Sequence, residues 1–254
     1  MLLQINPKYL SFRSTLEDQL GNFDNSGMLF VNGQRNKIRL FELGSTTINI
    51  KSFKIPNLIN RVAYRFFRKS KARRSFEFAN RLLENGISTP HPIAFAEELT
   101  LFGLRRSYYI CEHIDVDLTF RELVEVENYP DYEVILQQFI RFCFQLHEKG
   151  IEFLDHSPGN TLIKKVGEGV YEFYLVDLNR MNFHANMDFE SRMKNLSHLT
   201  PLKSMVSQMS KEYHKLYPTE SESKIFDRMW FYTDGFQKKF HKKIRLKKKL
   251  KFWK

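Results

Sequence analysis

The stretch from Asp155 to Asp177 restricts this chain more than any other. Two strand-like arms, Thr161–Val166 and Tyr171–Val176, flank Gly167–Val170, a loop that carries two glycines. Apolar and β-branched runs on either side of such a loop predict a β-hairpin. Paired as mirror images about the loop, the arms set Asn160 beside Asp177, and Asp155 stands five residues ahead of Asn160. Oxygen ligands converging at the open end of a hairpin suit a divalent cation held against phosphate groups. A fold that houses this hairpin must bring a cationic partner from elsewhere in the chain.

The elements around the hairpin follow from periodicity. Phe12, Leu16 and Leu20 line one side of a short helix over Ser14–Leu20, and a turn-rich Gly21–Gly27 follows. Three strands are predicted at Met28–Val31, Ile38–Leu43 and Thr46–Phe53, connected through Asn32-Gly33 and Gly44-Ser45 as an antiparallel meander that ends at Pro56. Ala72, Phe76, Ala79 and Leu83 mark a helix from Ser70 to Asn85, stopped by Gly86. Thr89–Pro92 is extended and Ser107–Ile114 is a strand. A long helix starts at Pro130-Asp131, repeats Ile135, Phe139, Phe142, Cys143 and Leu146 at helical spacing, and ends at Gly150. Met187–Tyr232 is helical, broken near Pro201 and Pro218. The expected architecture is α+β and two-lobed, with an antiparallel-sheet N-lobe carrying one helix over residues 1–114. A mainly helical C-lobe over 115–235 and a basic aromatic tail over 236–254 complete it.

Composition sets the outer limits. A 42% hydrophobic content in 254 residues supports a real core. No apolar run reaches a membrane span, and the first residues lack an export signal, so the chain is expected to stay in the cytoplasm. Cys111 and Cys143 are isolated, which excludes a disulfide framework and a zinc motif and predicts buried thiols. The net charge of +11 is local: Phe236–Lys254 holds nine lysines, one arginine and no acid. The preceding body is nearly neutral.

Phosphoryl transfer asks a protein to neutralise charge and to hold two oxygens in line. Asp155 is the candidate to accept a hydroxyl proton, and Asn160 and Asp177 are the candidates to hold Mg²⁺ or Mn²⁺ on a nucleotide. Lys51 is the candidate for the phosphates, on a strand face shared with Asn49 and Phe53 and opposite Ile48 and Ile50. Lys54 is its alternate. Glu77, mid-helix, is the expected acidic partner of Lys51. The strand end Cys111–Ile114 would offer backbone groups at Glu112 and Ile114 to an adenine edge.

These runs carry a resemblance. Ile50–Asn57, Ser70–Glu77, Leu146–Ile151, Leu154–Asn160 and Val176–Arg180 resemble the lipopolysaccharide kinases of the Kdo/WaaP family, in protein-kinase-like order over most of the chain. The resemblance implies a protein-kinase-like fold that uses ATP with Mg²⁺ or Mn²⁺. It also implies phosphorylation of a Kdo or heptose sugar of the lipopolysaccharide core or a lipid A precursor, peripherally at the inner face of the cytoplasmic membrane. The chain departs from protein kinases in having Asn32–Asn36 in place of a Gly-rich loop, Phe153 two residues before Asp155, and Leu178-Asn179 after Asp177. No Ala-Pro-Glu segment follows, which argues against a regulated protein kinase. Other readings are a small-molecule phosphotransferase of aminoglycoside or choline type and a membrane-associated pseudokinase module.

The tail interleaves its cations with Phe240, Ile244, Leu246, Leu250, Phe252 and Trp253. Docking on an anionic membrane surface is its favoured reading, ahead of a solvated tail and of nucleic-acid binding. A second acid-free cluster, Arg61, Arg65, Arg68, Lys69, Lys71, Arg73 and Arg74, reads either as a grip for phosphates or lipid headgroups or as a solvated loop and helix start. His147 reads as a helix-end histidine stabilised by the backbone dipole, and His156 as a loop packing residue.

Overall fold

The computed structural model describes residues 1–251, with side chains described through residue 246. Two compact units emerge: Met1–Asp115 with Asp177–Arg180, and Val116–Val176 with Met181 onward.

The first unit is built on one antiparallel sheet. Its strands are β1 (Leu2–Ile5), β2 (Met28–Asn32), β3 (Asn36–Leu43), β4 (Thr46–Phe53), β5 (Pro92–Thr100) and β6 (Gly103–Glu112), in the order β1-β5-β6-β4-β3-β2. Strand alternation separates two faces of β4. Ile48 and Ile50 are fully buried in a cluster with Leu16, Phe23, Ile93 and Ile110, beneath helix α1 (Arg13–Gly21). The opposite face carries Asn49 and Lys51, which pair with Cys111 and Tyr109 on β6.

Helix α2 (Leu58–Phe66) and helix α3 (Lys71–Glu84) follow β4. Asn57 caps α2 through the Asn60 amide, and Ser70 caps α3 through the Arg73 amide at 3.0 Å. Ala72, Phe76, Ala79 and Leu82 bury one stripe of α3, and Phe76 meets Phe95 of β5 with ring centroids 5.5 Å apart. Asn85 and Gly86, at φ +67°, close that helix as expected. Helix α2 and strands β1 and β5 were not among the expected elements, although Leu58, Val62 and Phe66 give α2 a helical period.

The second unit contains β7 (Leu118–Thr119), α4 (Phe120–Glu125), α5 (Tyr132–Glu148), β8 (Ile151–Phe153), β9 (Thr161–Gly167), β10 (Val170–Leu175), β11 (Met181–Phe183), α6 (Phe189–Asn195), α7 (Lys203–Leu216) and α8 (Glu222–Lys251). Its core is aromatic. Phe120 stacks on Phe139 at 4.1 Å, and Phe173 of the hairpin meets both Phe139 and Phe142 at 5.6 Å. Asp131, at φ +56°, starts α5 and binds Tyr171 and Lys165 of the hairpin at 2.5 and 3.1 Å. Gly150, at φ +66°, ends α5 where a Cβ would lie 2.1 Å from the His184 carbonyl oxygen, a contact only glycine permits.

The expected tail begins inside α8, whose buried residues Ile225, Met229 and Thr233 precede it. Phe236 packs on His198, ring centroids 3.9 Å apart. Phe252 and Trp253 of the tail reading lie outside the described residues.

Candidate active site

In the first unit, β4 positions Lys51 with only 14% of its side chain exposed. Its Nζ lies 3.0 Å from Asp177 Oδ1 and 5.5 Å from the centre of the Phe53 ring. Asn179 Nδ2 donates to the same Oδ1 at 2.7 Å. Asp177 itself adopts φ +60°, the left-handed region that aspartate tolerates better than most residues. Two donors on one oxygen and a turned backbone fix the direction of this carboxylate.

The acidic partner of Lys51 is thus Asp177, and the expected Lys51–Glu77 pair does not form. Glu77 instead receives Lys69 at 2.8 Å and Arg73 at 2.9 Å. The reason lies in its own helix: Arg73 stands one turn before Glu77, and Lys69 reaches back from just ahead of the Ser70 cap. Burial raises the Glu77 carboxyl, but bonds to Lys69 and Arg73 outweigh that and hold it below its ordinary range.

The acid-free cluster read as a possible phosphate grip contains Lys71 and Arg74, but sequence reasoning missed Arg35 and did not connect the cluster to Asp177. Burial lowers the Lys71 ammonium, which also feels attraction from Asp177 and repulsion from Arg35, Arg74 and Lys51. Burial also lowers the Arg74 guanidinium, which is repelled by Arg68 and Arg180. Arg35 arrives on the β2–β3 turn, where Gly33 N donates to Asn36 O at 3.0 Å. One carboxylate amid several cations makes a field suited to a polyanion. The signal was present as the acid-free interval between Glu42 and Glu77.

At the end of β6, the Glu112 carboxylate binds the Tyr9 hydroxyl and lies 3.5 Å from Lys8. The Glu112 and His113 amides donate to His91 O and Thr47 O, both at 2.9 Å. Sheet pairing stops there, and Ile114 is the first residue past it. Asn49 bonds His113 Nδ1 at 3.1 Å, and burial pushes the neighbouring Cys111 thiol up to about 12.

In the second unit, Asp155 begins a tight loop closed by Asn160. The Asp155 carbonyl accepts Ser157 N at 2.7 Å and Asn160 Nδ2 at 2.8 Å. Pro158–Asn160 forms a short 3₁₀ turn, and Asn160 O accepts Val176 N at 3.0 Å. The hairpin exists, yet its register differs by one residue from the mirror-image expectation. Gly167 pairs with Val170 around Glu168 and Gly169, but a bulge then pairs Tyr171 with Lys165, so Thr161 faces Leu175. Asn160 therefore stands opposite Val176, with Asp177 the next residue along.

The loop rests on a buried polar framework. Asn195 Nδ2 donates to Phe153 O at 2.9 Å, while His147 bonds Asn195 Oδ1 at 3.2 Å and Tyr213 Oη at 2.9 Å. Burial pushes His147 down to about 3 and His156 down to about 4. His147 is accordingly neutral, and burial overrides the dipole stabilisation expected at a helix end. His156 packs between Phe139 and Phe153, at 5.8 and 5.5 Å.

Among the described residues, no three His, Cys, Asp or Glu side chains gather as a metal site. A divalent ion here would take few protein oxygens and draw its remaining ligands from phosphates and water, which is how nucleotide-borne Mg²⁺ is held. Asp177 in the first unit and Asn160 in the second each carry a side-chain oxygen of the kind such an ion takes.

The fold is that of a kinase-like protein. The chain is similar in structure to "WaaP in complex with acyl carrier protein", with a TM-score of 0.64 over 95% of this chain and 99% of that one, at 14% sequence identity. A search of curated proteins found no significant match. The model of the lipopolysaccharide kinase (Kdo/WaaP) family matches residues 55–218. The chain belongs to that family and is a lipopolysaccharide kinase by membership.

Proposed function

We propose that this chain is an ATP-dependent kinase that phosphorylates a Kdo or heptose hydroxyl of the lipopolysaccharide inner core, at the cytoplasmic face of the inner membrane. The observation that carries the reading is the 3.0 Å contact between Lys51 and Asp177, set among Lys71, Arg74 and Arg35. The contact sets a lysine able to bind phosphate beside a carboxylate able to bind a cation. ATP would supply the anion that draws Lys51 onto its phosphates and releases Asp177 toward a cation.

Asp177 and Asn160 would hold that ion, which when bound neutralises the charge that develops on the transferred phosphoryl group. The cations around Asp177 would neutralise the rest of the triphosphate in place of a Gly-rich loop. Asp155 would accept the proton of the attacking sugar hydroxyl, its loop held by Asn160 Nδ2. Ile114 would meet the adenine edge, since the amides of Glu112 and His113 are committed within the sheet.

Mass spectrometry of the core from cells with the gene, without it, and with Asp155→Ala tests the reading. A phosphate that requires the gene and disappears with the substitution supports it. Identical spectra in all three reject the substrate.

A further inference from the structure

One surface of the first unit has no part in the kinase reading. Helix α2 buries no side chain, although it is markedly amphipathic. Leu58 and Ile59 are 75% and 81% exposed, Phe66 and Phe67 61% and 81%. Leu58, Ile59, Val62 and Phe66 recur at helical spacing, so they share the stripe that faces away from the sheet. Arg61 and Arg65 run along its flank and Arg68 follows, with the Arg65 and Arg68 guanidinium groups near the rings of Phe66 and Tyr64.

The patch extends beyond the helix. Leu101 and Phe102, at the tip of the β5–β6 turn, are 87% and 79% exposed. Gly103 joins them to α2: at φ +137° it sits so close to the Arg61 backbone that a Cβ would meet the carbonyl carbon and oxygen at 2.7 Å. Helix and tip therefore lie against one another within the first unit. Large apolar side chains exposed together, rimmed by cations, are costly in water and mark an interaction surface.

We infer that α2 and the 101–102 tip form an interfacial anchor that inserts its apolar side chains into an anionic lipid surface. Charge decides the occupant. No acidic residue occurs between Glu42 and Glu77, so nothing on the helix or beside it in sequence opposes phosphate headgroups. The arrangement of aromatic and aliphatic residues on one side and arginines beside them is that of a helix lying in the plane of a bilayer. No helix among the described residues is long and apolar enough to cross one. The anchor rests on the proposal that the acceptor is lipid-borne, and it would hold the first unit at the surface independently of the basic tail.

The full-length protein is sedimented with phosphatidylcholine vesicles, with and without phosphatidylglycerol, at low and high salt. Binding is expected only to the anionic vesicles, and Ile59→Asp with Phe67→Asp is expected to weaken it at least roughly tenfold. Arg65→Gln with Arg68→Gln removes two cations, each worth about fivefold at an anionic surface. All four positions are exposed, so unchanged unfolding temperatures show that the variants are folded. Wild-type binding in both variants overturns the inference, as does an α2 that captures a soluble acidic protein without affinity for vesicles. Because the assay reads partitioning and not phosphate transfer, it fails or succeeds separately from the kinase proposal.

Discussion

Replacing His156 by Phe should make the second unit more resistant to acid. His156 is fully buried between Phe139 and Phe153, and burial lowers its pKa from 6.5 to about 4. The folded pKa is depressed, so between roughly pH 4 and 6.5 the unfolded chain binds a proton that the folded chain refuses. Stability must then fall as pH drops through that window. From the two pKa values the loss is about 0.8 kcal/mol at pH 6 and about 2 kcal/mol at pH 5, and negligible at pH 7.5. Phe fills a similar aromatic site and carries no proton. Urea unfolding of wild type and variant at those three pH values gives the difference directly, and paired carboxylates cancel because both proteins share them. The variant should gain about 2 kcal/mol relative to wild type between pH 7.5 and pH 5. A difference that does not change with pH refutes the buried, neutral histidine.

Lys51→Met should lower phosphate transfer by at least about a hundredfold while leaving the unfolding temperature near that of wild type, because it removes a charge needed for the transferred group rather than packing; kinetics and a thermal melt check this. Gly150→Ala should destabilise the second unit by about 3 kcal/mol or more, from the positive φ and the 2.1 Å approach to His184 O, as measured by denaturant unfolding. Glu212 is buried and receives Arg141 at 2.8 Å and Lys215 at 2.7 Å from half-exposed side chains. Removing both cations strands the carboxylate and should cost about 3 kcal/mol, whereas Glu212→Gln should cost about 1 kcal/mol, since freed cations return to water. Deleting residues 236–254 should reduce binding to anionic vesicles at low salt, and undiminished binding would remove the tail from the account.

The legible parts of the chain were those in which periodicity and burial agree. Ala72, Phe76 and Ala79 announced α3, and Ile135, Phe139 and Leu146 announced α5, because each set faces a core. The two-sided strand β4 gave Lys51 its direction for the same reason. Helix α2 was passed over although Leu58, Val62 and Phe66 carry its period; what the sequence could not show is that this stripe faces outward. The hairpin was visible, but its register was not: the bulge between Val170 and Tyr171 is a backbone event that no residue type demands. The partner of Lys51 was misread because helix position says which residues can reach inward, not which nearer cation will claim them first. Arg73 and Lys69 claim Glu77, and a left-handed Asp177 turns its carboxylate to the lysine instead.

The most direct test incubates purified protein and ATP labelled at the γ-phosphate with an inner-core acceptor that bears Kdo and heptose, in wild-type form and with Asp155→Ala or Asp177→Asn. The account predicts label on a sugar hydroxyl with the wild type and none with either variant. Label on the sugar from all three proteins, or hydrolysis of ATP with no transfer to any core sugar, would contradict it.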